Sequence, residues 1–206
     1  PSVKVIVVTG LFGTGKTYLA SCIAGDYLKQ KKIEKLIVSR AYIQTGKSSG
    51  LKPGTTLEKM YPYVRNVLDT VKKRIGTSMY DYSLKDGVSG AIEVQEVAEI
   101  RGRSFDEPTF LIVDEAQQTT PEEMLAIVTR VGDDCKLILC GDLQQSDIKG
   151  ESGLAWFEEF ADRHDLEGVG YVDFDSPDHI VRSGLVKSIA IGLKNDVCNG
   201  TKTPQS

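Results

Sequence analysis

Little in this 206-residue sequence belongs to a secreted or membrane-embedded protein. The four cysteines, Cys22, Cys135, Cys140 and Cys198, contain no CxxC pair, and no secretory segment is recognised ahead of them. A disulfide framework and a zinc ribbon are therefore excluded, and the cysteines read as small apolar packing residues of a protein in the reducing cytoplasm. Apolar runs such as VKVIVV near the start are strand-length, far short of the roughly 20 residues that cross a bilayer, so no membrane role is expected. Histidine is scarce: His164 and His179 each lie beside acidic residues and read as surface positions. Positive charge is not in excess either, with 25 basic against 29 acidic side chains and a formal net charge of -4. The molecule as a whole repels polyanions, and any nucleic-acid contact must be a local patch. No internal repeat interrupts the chain, whose 40% hydrophobic content suffices for one core.

What is present is an alternation of strand-like and helix-like segments. Lys4 to Val8 is a short valine-rich run ending at Gly10, as in a buried parallel strand. From Gly15 onward Leu19, Ala20, Ile23, Ala24, Tyr27 and Leu28 recur at helical spacing. KLIVS (Lys35 to Ser39) then reads as a strand, and Met60, Val64, Leu68, Val71 and Ile75 as a helical stripe. TFLIVD (Thr109 to Asp114) is a strongly apolar strand, and Thr120-Pro121-Glu122-Glu123 marks a helix start that should run to about Val131. The series closes with KLILCGD (Lys136 to Asp142), a helix over Ser152 to Ala161, GVGYVDF (Gly168 to Phe174) and a helix over Ile180 to Leu193. Such alternation predicts an α/β fold, doubly wound around a mostly parallel sheet flanked by helices. Ile43 to Gly54 and Gly76 to Gly90, rich in glycine and serine, read as loops or lids.

Two kinds of turn carry chemistry. Gly10-Leu11-Phe12-Gly13-Thr14-Gly15-Lys16-Thr17 satisfies GxxxxGK[ST] between a strand and a helix, the context that motif requires. Its amide hydrogens and the helix N-terminus form an anion nest, Lys16 adds a point charge for the β- and γ-phosphates, and Thr17 offers a hydroxyl to magnesium. Asp114-Glu115 ends the central strand at the carboxyl edge of the sheet, where open α/β folds bind ligands. Asp114 is placed to hold the metal and Glu115 to orient or deprotonate the attacking water; the competing reading is an acidic pair that merely solvates a strand end. Gly141-Asp142-Leu143-Gln144 repeats the geometry on the next strand, making Gln144 a candidate γ-phosphate sensor. A plain glycine-aspartate turn is the alternative there.

With VTGLFGTGKT, LIVDEAQ and CGDLQQ in this order, the chain resembles the PhoH-like ATPases, which stand near the superfamily 1 helicases. Ser39-Arg40 followed by Gly50-Leu51-Lys52-Pro53-Gly54 and LEKMYPYVRNVLD is similar to the family's region after the second strand. RGRSFDEPTFLIVDEAQQTTPEEM is similar to its signature stretch, and Asp178-His179-Ile180-Val181-Arg182 to its last motif. Two positions depart from the pattern: Ala41 stands where proline is frequent, and Gln118 where asparagine is usual. The resemblance implies a P-loop NTPase with a single RecA-like domain over 1–194, a flexible tail over 195–206, and ATP with magnesium as ligands. Preference for ATP over GTP comes from the resemblance, not from spacing.

By the same resemblance Arg182 is a late-motif arginine for the γ-phosphate, Arg101 and Arg103 are structural, inter-subunit or RNA-facing, and Arg40 is a candidate for nucleic-acid or inter-subunit contacts. For Arg182, Arg101 and Arg103 the competing reading is a solvated surface charge. Lys29 to Lys35, Lys47 with Lys52, Lys72-Lys73-Arg74 and Arg101 with Arg103 are the local basic clusters, with Tyr42, Tyr61 and Tyr63 available for stacking. Single-stranded RNA, or DNA, is the partner the resemblance implies. A helicase of the related kind closes two lobes on ATP, and the residues here make one. A homo-oligomer, as in a ring, is therefore expected to complete the cleft. A phosphotransferase and a nucleotide-gated interaction module are the alternative functions.

Overall fold

A computed structural model describes residues 3–42, 54–84, 90–105 and 107–198. Six parallel strands form one sheet in the order β3-β2-β4-β5-β1-β6: β1 (Val5–Gly10), β2 (Lys35–Arg40), β3 (Ile92–Val94), β4 (Thr109–Asp114), β5 (Cys135–Cys140) and β6 (Val169–Phe174). The expected doubly wound architecture is present, and every strand pairing described is parallel.

Strand side chains alternate between two cores, as the period of two requires. Val8, Leu36, Val38, Phe110, Ile112 and Ile138 meet α1 (Lys16–Lys29) and α2 (Thr56–Ile75) on one face. Val5, Val7, Ile37, Leu111, Val113 and Leu137 meet α5 (Pro121–Val128) and α6 (Gly153–Arg163) on the other. Because both faces are covered, β4 is buried at all six positions. Such a strand reads as an unbroken apolar run rather than an alternating one.

Helix α2 follows from its sequence. Thr55 caps it, accepting from the Glu58 amide while the Glu58 carboxylate accepts from the Thr55 amide. Met60, Val64, Val67, Leu68, Val71 and Ile75 form its buried stripe. Thr120 and Glu123 start α5 in the same way, with Pro121 in the first helical position.

Several boundaries differ from expectation. In α1 the buried positions are Ala20, Ser21, Ala24, Gly25 and Leu28, whereas Leu19 and Ile23 of the expected stripe are 44% and 48% exposed. The cause is close approach of α2: a Cβ on Gly25 would lie 2.9 Å from the Cβ of Arg74, so small residues, not large ones, face that neighbour. The segment expected as a loop from Gly76 holds a further helix, α3 (Thr77–Ser83), anchored by buried Tyr80 with Lys72 above its ring. Strand β3 and the single turn α4 (Val97–Ile100) escaped the periodicity because each is too short to show a period. Helix α5 stops at Val128, short of Val131. The last helix, α7 (Gly184–Cys198), begins later than Ile180 because Pro177–His179 forms a separate 3-10 turn and Ile180 packs with Leu11 and Ala190. The expected loop over 43–53 and the chain beyond 198 lie outside the described residues.

Replacing Leu68, fully buried in the α1–α2 core, by alanine should cost about 2–5 kcal/mol. Replacing exposed Leu19 by alanine should change stability by less than about 0.5 kcal/mol. Urea-unfolding midpoints of the two variants check both; equal losses would return α1 to the orientation expected from its periodicity.

Candidate active site

The carboxyl ends of β1, β2, β4 and β5 open into one cleft of about 650 Å³, lined by residues of the glycine loop, both acidic turns and the face of α2. Placement there follows from the fold, since in a parallel sheet all strand ends of one polarity share an edge.

The glycine loop from Gly10 to Thr17 runs from β1 into α1. Gly10 has φ of 132° and approaches Phe174 so closely that a Cβ would meet its carbonyl carbon at 2.5 Å, so no other residue fits. Gly13 has φ of 76°, and a Cβ there would lie 3.1 Å from Cδ of Arg182. Gly15, at φ of 87°, caps α1. Thr14 is buried and its hydroxyl donates to the Leu11 carbonyl at 2.8 Å, bracing the loop from behind. Phe12, Gly13, Gly15, Lys16 and Thr17 line the cleft itself. Lys16 Nζ donates to the carbonyls of Gly10 and Leu11, at 2.6 and 2.8 Å. Burial pushes the Lys16 ammonium down from its ordinary value, opposed by the carboxylates of Asp142, Glu115 and Asp114.

The expected meeting of the loop with the acidic strand end occurs directly: Thr17 Oγ1 donates to Asp114 Oδ1 at 2.6 Å. Burial raises the Asp114 carboxyl above its ordinary value, against the Thr17 hydroxyl and the Arg40 guanidinium, which favour its charged form. Glu115, next in the chain, has φ of 52°, an uncommon backbone for a side chain of this size. The bend turns the chain from β4 into the 3-10 turn Ala116–Gln118. Gln117 braces it: its Nε2 donates to Glu115 Oε2 at 2.7 Å, and its Oε1 accepts from the Asp142 amide at 3.1 Å. Its backbone carbonyl accepts from Ser146 and Ser152. One glutamine thus locks the two acidic turns together, and only the residues after the acidic pair could have hinted at it. Gln118, the departure from the family's asparagine, donates to the Gln145 carbonyl and Asp147, extending the same brace.

Asp142 accepts from the Gln144 amide through Oδ1, while its buried Oδ2 has no hydrogen-bond partner. Gln144 itself is exposed and does not line the cleft; Gln145 does. The 3-10 turn Leu143–Gln145 accounts for the difference, rotating successive side chains away from the alternation a strand extension would give.

The arginines separate into three environments. Arg182 is exposed at the mouth, over Gly13, where the Val181 amide donates to the Gly13 carbonyl at 3.1 Å. Arg40 lies inside: its NH1 donates to Asp114 Oδ2 at 3.4 Å and to the Tyr63 carbonyl at 3.1 Å, and its NH2 to Glu115 Oε1 at 3.0 Å. Arg101 and Arg103 do not line the cleft. Arg103 pairs with the buried Glu93 and stands over the Phe105 ring, a structural role, and Arg101 reaches Glu123 at 4.0 Å. Much of the remaining clustered charge is similarly engaged: Lys35 with Glu93, Lys72 with Asp81, Arg74 with Asp26. Lys47 and Lys52 lie outside the described residues. One wall went unforeseen, the polar face of α2 formed by Asn66, Asp69, Thr70 and Lys73. Its i, i+3, i+4, i+7 spacing was visible, without a motif to mark it.

The donor set fits magnesium. A hydroxyl and a carboxylate oxygen converge at Thr17 and Asp114, and the unpartnered Asp142 oxygen lies in the same cleft. No group of three or more His, Cys, Asp or Glu able to hold a metal occurs among the described residues. Magnesium bound chiefly by phosphates and water needs only one or two protein oxygens.

Sheet order, glycine loop and acidic strand end together define the RecA-like P-loop NTPase fold. Solved structures agree on the fold: the large terminase of a thermophilic bacteriophage, in complex with ADP, superposes with a TM-score of 0.55 at 15% identity, over 91% of this chain and 44% of that one. The UvsW helicase of bacteriophage T4 gives 0.50 at 14% identity, over 82% and 54%. The family is shown by sequence: the PhoH-like protein family matches residues 2–192, and the chain belongs to it. It is 38% identical to the PhoH-like protein of Bacillus subtilis over 182 residues, 87% of this chain and 55% of that protein. It is 36% identical to Protein PhoH of Escherichia coli K12 over 186 residues, 89% and 51%. The chain thus spans about half the length of these relatives.

The raised carboxyl at Asp114 has a stability consequence. A carboxyl with a higher pKa folded than unfolded holds its proton more tightly in the fold. Ionisation therefore removes stability as pH climbs from the ordinary 3.8 through the folded value, and removes none below it. Asp114→Asn, without nucleotide, should melt higher than wild type at neutral pH, the gap closing as pH falls towards 3.8. Melting curves across pH check this; a lower-melting variant at neutral pH would show that the bonds to Thr17 and Arg40 outweigh desolvation.

Proposed function

We propose that the chain is a magnesium-dependent ATP hydrolase coupled to single-stranded nucleic acid, RNA foremost. The carrying observation is the 2.6 Å bond between Thr17 and Asp114, with Lys16 and Glu115 in the same cleft. A triphosphate lies along the Gly10–Thr17 amides, with Lys16 moving from the loop carbonyls to the β- and γ-phosphates. Thr17 and Asp114 would hold magnesium, which when bound would supply charge neutralisation on the phosphate oxygens. Glu115 accepts a proton from the water that attacks the γ-phosphorus; the bond to ADP breaks, and ADP and inorganic phosphate leave. Arg182 reaches the phosphates from the mouth. The γ-phosphate-facing role expected of Gln144 passes to Gln145, the glutamine that lines the cleft.

Coupling to nucleic acid draws support from the stacked rings of Tyr42 and Tyr63, 5.1 Å apart and parallel within 1°, next to Arg40 and the cleft. Bases stack on such platforms. A homo-oligomer draws support from exposed apolar side chains near the chain's last helix: Val181, which lines the cleft beside Arg182, and Leu185 and Ile189 of α7, at 78%, 71% and 49%. No helix among the described residues is long and apolar enough to cross a membrane. The described cysteines, Cys22, Cys135 and Cys140, are free, which suits a reducing compartment such as the cytoplasm.

A phosphotransferase is the second reading, favoured by one observation: the same cleft is also lined by Asn66, Asp69, Thr70 and Lys73, polar groups that an acceptor would meet. Release of inorganic phosphate from ATP without any acceptor selects hydrolysis; phosphate release only with an added acceptor selects transfer. Glu115→Gln should keep ATP binding and lose turnover by about 10²–10⁴-fold. Turnover unchanged in that variant would remove Glu115 from the chemistry. Single-stranded RNA should stimulate turnover, and its binding should weaken linearly on a log–log plot with added salt; a salt-independent ATPase unaffected by RNA or DNA would stand alone as an enzyme.

A further inference from the structure

Arg40 belongs to the cleft, yet its motif position predicted no part in the chemistry. Resting on the triphosphate reading above, we propose that Arg40 is this chain's own γ-phosphate arginine, held between Asp114 and Glu115 until a triphosphate arrives and then shared with it.

Placement is the first reason. Arg40 ends β2 directly opposite Asp114 in the parallel register, so the backbone alone sets it beside the acidic pair. The second is distance. Thr17 and Asp114 are the residues that would hold magnesium beside a triphosphate on the glycine loop, which would put the γ-phosphate next to Asp114. A guanidinium already 3.4 Å from Asp114 and 3.0 Å from Glu115 reaches that phosphate by rotating its terminal torsions. The third reason is exchangeability. Asp114 exposes 12% of its side chain and Glu115 36%, so the bond to Glu115 is the one whose release water can compensate. Arginine has five donors in a planar fork that matches phosphate oxygens, and the Tyr63 carbonyl keeps the group at the cleft while one arm changes partner.

The arrangement has a chemical use. In the nucleotide-free geometry the general base is paired with a cation, so Glu115 is occupied; a γ-phosphate that draws Arg40 away leaves Glu115 accepting, among the described residues, from Gln117 and available to the attacking water. ADP lacks the group that draws it. Arg40 therefore discriminates triphosphate from diphosphate, and it acts from the end of β2, whereas Arg182 lies over Gly13.

Binding of fluorescent ADP and of a fluorescent non-hydrolysable ATP analogue to the full 206-residue chain tests this, beside turnover and melting temperature. For Arg40→Gln the ADP affinity should stay within about twofold while the ATP-analogue affinity falls about tenfold, a loss of roughly 1.4 kcal/mol. Turnover should fall about 10³-fold, as for loss of other γ-phosphate arginines. Arg40→Lys, which keeps the charge without the fork, should recover part of the ATP preference and guards against a misfolded glutamine variant. Equal loss of both nucleotides, or no loss of either, in correctly folded variants would make Arg40 a clamp between β2 and β4 and overturn the assignment. Lys16→Ala should abolish binding of both nucleotides. Wild type binding neither would overturn the triphosphate reading itself, and this assignment with it.

Discussion

The parallel register of β1, β5, β4 and β2 is the constraint on which the cleft depends. It brings Thr17, Asp114, Arg40 and Asp142 to one edge although they come from distant parts of the chain. Burying those strand ends on both faces has an electrostatic cost. Asp114 ends a strand with no exposed position and is itself almost covered, so its charge is held against desolvation. The fold offsets this locally, with a hydroxyl from Thr17 and a guanidinium from Arg40, rather than by leaving the carboxylate to water. The same acid that destabilises the free protein is the one that, on the proposed function, would hold a metal, a trade of stability against function common at active sites.

Around that pair the structure is stiff. Glu115 occupies a left-handed backbone that costs on the order of 1–2 kcal/mol for a residue with a Cβ. Such a conformation persists where its surroundings over-determine it. Gln117 does so with its amide on both acidic turns and its carbonyl on Ser146 and Ser152. The contrast between a rigid acidic side and an arginine with exchangeable partners lets charge rearrange without moving the turns that aim it.

Much of this was legible in the sequence, for reasons that can be named. The glycine loop and the β4 end carry their chemistry in consecutive residues, so motif and geometry coincide at Lys16, Thr17 and Asp114. Strands β1, β2, β4 and β5 were legible as apolar runs because both faces of the sheet are covered. Helix α1 misled because its small residues, not its large ones, face α2. Gln144 misled because a 3-10 turn breaks the alternation that a strand extension would have kept. Among the basic clusters the structural alternative for Arg103 is the one the fold supports, and its partner was not legible, because only the strand order shows Glu93 buried between Arg103 and Lys35. Arg40 and the polar face of α2 were in view as letters, but their meeting with Asp114 depends on strand order, which no local spacing encodes.

Gly10 is pressed against the backbone of Phe174, at the end of the outermost strand of the sheet. The root of the phosphate loop therefore rests on a rim that, among the described strands, has a neighbour on one side only. A rim of that kind is a handle as well as a boundary: a displacement of β6 along β1 would act on Gly10 by direct backbone contact.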